Sequence, residues 1–135
     1  MKKILSLAAL VLVATTGSAF AENEYNANIS APSAKANSKA VAKIKVEPKG
    51  DYHVNTEFPA KLTIEAPAGV TLDKAKQSKA DAVKLDEKGL QFHVAFTSAD
   101  KGAKEFKGEL KFAVCKGESA CLPQSKKISF TVDVK

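Results

Sequence analysis

From Val41 onward the chain alternates apolar and polar residues with a period of two. Ala42, Ile44 and Val46 fall on one side and Lys43, Lys45 and Glu47 on the other, until Pro48-Lys49-Gly50 interrupts the run. Leu62, Ile64 and Ala66 alternate with Lys61, Thr63 and Glu65 and stop at Pro67-Ala68-Gly69. Leu90, Phe92, Val94 and Phe96 repeat the pattern before the turn Ser98-Ala99-Asp100-Lys101-Gly102. The longest alternation runs through Phe106, Gly108, Leu110, Phe112 and Val114, and Ile128, Phe130, Val132 and Val134 close the chain. Successive side chains of a strand point to opposite faces, so the pattern predicts antiparallel strands with one buried and one wet face. With a further strand around Tyr25 to Ser30, the count comes to about seven or eight. Short strands with Gly/Pro punctuation predict an all-β fold, an immunoglobulin-like antiparallel β-sandwich. Segment 74–82 (KAKQSKADA) reads equally as a short helix or a loop, its apolar face being alanine alone.

The first 21 residues follow a different logic. Lys2 and Lys3 form a charged start, Ile4 to Ala14 an apolar stretch too short to span a bilayer, and Ala19-Phe20-Ala21 an A-x-A cleavage site. This predicts a secretory signal peptide over 1–21, cleaved after Ala21, and a single immunoglobulin-like domain over 22–135. The expected location is the periplasm or the exterior of a bacterial cell, where a disulfide persists. No later stretch is apolar enough to embed the chain in a membrane.

Composition narrows the function classes. All 21 basic residues are lysine, and there is no arginine or tryptophan. Base-edge readout and bidentate phosphate clamps favour the planar guanidinium, so nucleic acid is not an expected partner. The formal charge is +6; removing Lys2 and Lys3 leaves 19 − 15 = +4. Most lysines alternate outward along strands, as solvated faces and protected sheet edges do. No G-x-S-x-G elbow or phosphate-cradling loop is present, and neither cofactor nor metal is expected.

The chemistry concentrates at the two cysteines. Lys111, Ala113 and Cys115 share the face opposite Phe112 and Val114, so Cys115 points away from the main core at the end of a strand. Lys116-Gly117-Glu118-Ser119-Ala120 reads as a hairpin loop, with the last strand beginning after Leu122-Pro123. The two sulfurs then face each other across a hairpin mouth, within disulfide reach. A stabilising bridge and an exchange-active one are equally compatible with this. The loop is short, so its closure contributes on the order of 2.4 kcal/mol. A bridge at a hairpin mouth is also accessible to an attacking thiolate.

Gly50-Asp51-Tyr52-His53-Val54-Asn55, with Pro59 beyond it and then Cys115-x5-Cys121-Leu122-Pro123, resembles the N-terminal periplasmic domain of the thiol-disulfide reductase DsbD, over about residues 40–134. The resemblance implies an immunoglobulin fold with one redox pair, Cys115 and Cys121, across a terminal hairpin. Pro123 completes the signature, Tyr52 lies beside the pair, and Cys121 is favoured as the attacking thiol. The implied partners are a thioredoxin-like or membrane reductase protein and disulfide-bearing periplasmic proteins.

The chain departs from the family in three respects. No aromatic residue lies between Phe58 and Phe92 to form the family's cap loop. Val54 stands where a second tyrosine would fall. The membrane and thioredoxin-like parts are missing, so the electron donor is expected to be a separate protein.

His53 flanks Tyr52 and could approach the pair, where a protonated imidazole would favour a thiolate. His93 alternates onto a polar face and is expected to be solvated. The expected function is thiol-disulfide exchange; the alternative is a non-enzymatic binding or scaffold sandwich with a structural bridge.

Overall fold

Eleven strands and one short 3-10 turn make up the residues described by the computed structural model, 17–21 and 24–135. In chain order the first six strands are β1 (Gly17–Ala21), β2 (Tyr25–Ser30), β3 (Lys39–Pro48), β4 (Tyr52–Val54), β5 (Lys61–Glu65) and β6 (Val70–Leu72). The last five are β7 (Lys76–Ser78), β8 (Lys84–Asp86), β9 (Gly89–Ser98), β10 (Gly102–Lys116) and β11 (Ala120–Val134). The first sheet runs β1-β2-β3-β9-β6, with β8 beside β6 on the same edge of β9, and the second runs β11-β10-β5-β7, with β4 beside β5 on the same edge of β10. Every strand ladder is antiparallel. The architecture is the expected immunoglobulin-like β-sandwich.

The core is what the alternation requires. Ile44, Val46, Leu90, Phe92, Val94 and Phe96 from the first sheet meet Leu62, Ile64, Phe106, Leu110, Phe112 and Val114 from the second, all buried. Phe106 stacks on its register partner Phe130 at 4.8 Å between ring centroids, and Phe96 reaches the same cluster at 4.9 Å. Tyr25 of the first sheet meets Phe112 of the second edge-on at 4.9 Å. Such pairs contribute about 0.5–1.5 kcal/mol each beyond the area they bury. Phe58 stays half-buried outside this cluster.

Seven strands have five or more residues, and four have three. The short ones (β4, β6, β7 and β8) span too few positions to show a period, which is why the alternation does not reveal them. Segment 74–82 contains no α-helix: β7 occupies its middle and the 3-10 turn Lys79–Asp81 follows. After β6 the chain leaves the first sheet, adds β7 to β5 of the second, and returns as β8 on β9. Gln77 of β7 is buried, and its side-chain amide donates to the His93 carbonyl oxygen at 2.9 Å, filling the gap in the β9 edge between β6 and β8. His93 lies on the outer face as expected, but half-buried, with its Nε2 3.0 Å from Gln91 Nε2.

The signal-peptide reading falls largely outside the described residues. Its last five residues form β1, the edge strand beside β2, so the expected cleavage site lies at the end of that strand.

Candidate functional site: the hairpin disulfide

The β10–β11 hairpin keeps its register from Gly102↔Val134 to Lys116↔Ala120. This corrects the sequence-based boundary: β11 starts at Ala120, so Leu122 and Pro123 belong to the ladder, opposite Val114 and Ala113. Proline is tolerated there because β11 is an edge strand, whose N–H groups can face solvent. The turn is reduced to Gly117-Glu118-Ser119, and Gly117 takes a left-handed φ of 67° that a side chain would resist.

Cys115 and Cys121 are direct register partners and are joined by a disulfide. Cys115 is 2% exposed, whereas Cys121 is exposed. Ala113 and Cys115 are buried without joining the central core cluster, in keeping with their place on the opposite face from Phe112 and Val114. From Ala120 to Pro123 every residue of β11 is exposed, including Leu122 at 39%. One cysteine is thus a buried residue and its partner an exposed one.

On its other edge β10 is lined by β4. The register sets His53 opposite Cys115, Tyr52 opposite Lys116 and Val54 opposite Val114. Paired residues share a face, so His53 stands on the cysteines' side of the sheet. Tyr52 shares the face of buried Val54 and packs against the core, with the Lys116 ammonium 5.9 Å from its ring centroid. The structure therefore gathers Cys115, Cys121 and His53 on one face, places Pro123 two positions along it, and puts Tyr52 next to the pair but on the inner face. Val54, where the resemblance to the DsbD domain would place a second tyrosine, is core.

The segment between β4 and β5 supplies a group not singled out as a site residue from the sequence. Asn55 donates its backbone N–H to the Ala113 carbonyl oxygen at 2.9 Å, and its side-chain Nδ2 lies 4.0 Å from Cys121 Sγ. Its Oδ1 accepts the backbone N–H groups of Glu57 at 3.0 Å and Phe58 at 3.3 Å. Two signals were available: Asn55 closes the Gly50–Asn55 motif, and an asparagine just after a strand and before a proline-containing turn caps loops through its own side chain.

Among the described residues, no group of three or more His, Cys, Asp or Glu could hold a metal. Two shallow depressions lie on the outer face of the second sheet. The larger, about 640 Å³, is lined by Thr63, Glu65, Lys107, Gly108, Lys127 and neighbours, and neither is lined by a cysteine. Among the described residues, no helix is long and apolar enough to cross a membrane.

No family model and no curated protein matches the chain. Among solved structures, the GAE domain of GGA2p from Saccharomyces cerevisiae is similar, with a TM-score of 0.44 and 12% identity over 86% of this chain and 96% of that one. The PapD-like domain 7 of human CEP192 is similar with a TM-score of 0.40 and 7% identity, covering 98% of both chains. BslA, a bacterial hydrophobin, follows with a TM-score of 0.32 and 13% identity over 90% of this chain and 96% of its own. None of the three is a DsbD domain.

Proposed function

We propose that this chain is an exported thiol-disulfide exchange module that passes electrons between a reductase partner and disulfide-bearing proteins. The carrying observation is the asymmetry of the pair: an exposed Cys121 residue bonded to a buried Cys115. In the reduced domain the Cys121 thiolate attacks a sulfur of the partner's disulfide. A mixed disulfide forms, and the partner's other sulfur leaves as a thiolate and takes a proton. The Cys115 thiolate then attacks Cys121 Sγ, re-forming the internal bridge and releasing the partner's second thiolate. Two electrons and two protons pass to the partner. The reverse sequence, started by a donor thiolate attacking exposed Cys121, reloads the domain. The resemblance to the DsbD N-terminal domain supports the same reading, with a thioredoxin-like or membrane reductase protein as donor in the periplasm.

The test is the reduction potential of the purified domain, measured by equilibration with glutathione or dithiothreitol buffers. An exchange-active pair lies above about −300 mV, where structural bridges rarely do. A Cys115→Ala variant should also trap partners as mixed disulfides through Cys121. A potential below that limit, with nothing trapped, assigns the bridge to a structural role in a non-enzymatic binding module.

A further inference from the structure

Disulfide exchange starts from a thiolate, and a thiolate on an exposed strand gains from a fixed hydrogen-bond donor. We propose that Asn55 is that donor: its side-chain amide holds the negative charge on Cys121 Sγ once the bridge is reduced. This deepens the exchange reading and rests on it.

The argument begins with the orientation of the amide. Both ends of an asparagine carboxamide look alike, and only the surrounding hydrogen bonds tell them apart. Here Oδ1 is committed to two backbone donors, Glu57 N and Phe58 N, so Nδ2 must face the other way, toward Cys121 Sγ. The backbone is held as well. Asn55 N–H is anchored on Ala113 of β10, and the Lys79 ammonium reaches the carbonyl oxygens of Thr56 at 3.4 Å and Glu57 at 3.5 Å. The donor is thus preorganised by its loop, and its approach to sulfur costs little further ordering.

At 4.0 Å the contact to the oxidised sulfur is long. A neutral disulfide sulfur is a poor acceptor, while a full negative charge draws an N–H in and binds it more strongly. The interaction is therefore stronger in the reduced, charged state than in the oxidised one. That difference lowers the thiol pKa and speeds attack. No distant group has to move for this to happen.

Other titratable side chains stand on the elements next to the pair. His53 on β4, Lys116 and Glu118 at the hairpin end, Glu57 in the Asn55 loop, Lys79 behind that loop and Glu87, whose carbonyl oxygen accepts the Val54 N–H, all belong to neighbouring elements. Their signs are mixed and none of them is substituted below; Asn55→Asp also keeps the oxygen that anchors the loop through Glu57 and Phe58, so its difference from wild type reports on position 55.

The experiment follows Cys121 alkylation by iodoacetamide against pH in the reduced, full mature domain, read by peptide mass. Asn55→Asp keeps an oxygen for the Glu57 and Phe58 donors but sets a carboxylate oxygen where Nδ2 was. The expected result is an upward shift of the Cys121 profile by about one pH unit, a roughly tenfold loss of thiolate at neutral pH. Asn55→Ala should shift in the same direction by less, since it removes the donor without adding charge. An unchanged profile in Asn55→Asp overturns the proposal, even if the wild-type domain exchanges disulfides. Should that variant not fold, the wild-type profile decides: a Cys121 midpoint at or above the ordinary thiol value of about 8.5 overturns the proposal as well. Failure of the exchange reading shows elsewhere, as a low potential and no trapped partner.

Discussion

Cys115 and Cys121 are opposite each other in the β10–β11 ladder, yet the fold shelters one and exposes the other. Sequence spacing treats the two cysteines as equivalent; the structure makes their exposure unequal. In the reduced domain Cys121 should alkylate at least about tenfold faster than Cys115, because attack requires access as well as a thiolate. Peptide mass after brief iodoacetamide exposure measures the ratio, and equal rates would remove the asymmetry on which the proposed order of attack rests.

Reducing the bridge should lower stability modestly. Cys115 and Cys121 are six positions apart, so the bond closes a short loop. Loop-closure entropy gives about 2.4 kcal/mol, and the long hairpin ladder already restrains the same loop, so the measured loss should fall at or below that figure. Urea unfolding with and without a phosphine reductant gives the difference. A loss near 5 kcal/mol would point to a structural staple.

Gly108 should tolerate no side chain. It sits on β10 opposite Ile64 and Ile128, and a Cβ there would run into the Thr63 carbonyl oxygen and come within 2.8 Å of Ile64 Cδ1. Gly108→Ala should cost about 1–3 kcal/mol through this overpacking. Its reduction potential should match the wild type, since the cysteines lie roughly 24 Å farther along the strand. Thermal unfolding and redox titration of one sample check both halves.

Asp81 should make a pH-dependent contribution. The Lys74 ammonium at 2.6 Å and the Ser78 backbone N–H at 2.9 Å hold its carboxyl below the ordinary value of 3.8. A lowered folded pKa gives stability that is present above the unfolded value and lost as pH falls through the folded one. Asp81→Asn should therefore be slightly less stable than wild type at neutral pH, and the gap should close only in acid below 3.8. Because the pair lies at the surface, with Asp81 only partly buried, salt should shrink the gap, and chemical denaturation at several pH values would show it.

Export should leave a chain that starts at Glu22. Cleavage after Ala21 removes β1, which pairs only with the edge of β2. Tyr25, Ala27 and Ile29 of β2 and the buried residues of β3, β5, β9, β10 and β11 all lie after the cleavage point, so the mature domain should still unfold cooperatively. Intact mass of protein from the culture medium or periplasm tests the processing; a product that retains Gly17–Ala21 would contradict it.

Much of this was legible in one dimension. The strands that build the core are long enough for the period of two to show, and burial of one face is what writes that period into the chain. Hence Ile44, Phe92, Phe112 and Phe130 could be assigned to the interior from spacing alone. The four three-residue strands could not, because three positions carry no period, and β7 changes sheets through a glutamine that alternation counts as polar. The hairpin pairing of the cysteines was legible for the same reason as the core: two alternating strands around a Gly-containing turn leave few registers.

The sequence by itself determined an immunoglobulin-like sandwich with a cysteine pair at a hairpin end, since local periodicity and turn residues act over a few neighbouring positions. Which cysteine is buried, which face Tyr52 takes, and that Asn55 reaches Cys121 were decided only by the tertiary structure. Asn55 and Cys121 lie 66 positions apart. Their contact depends on β4 and β11 flanking the same strand from opposite sides, and no local pattern encodes that.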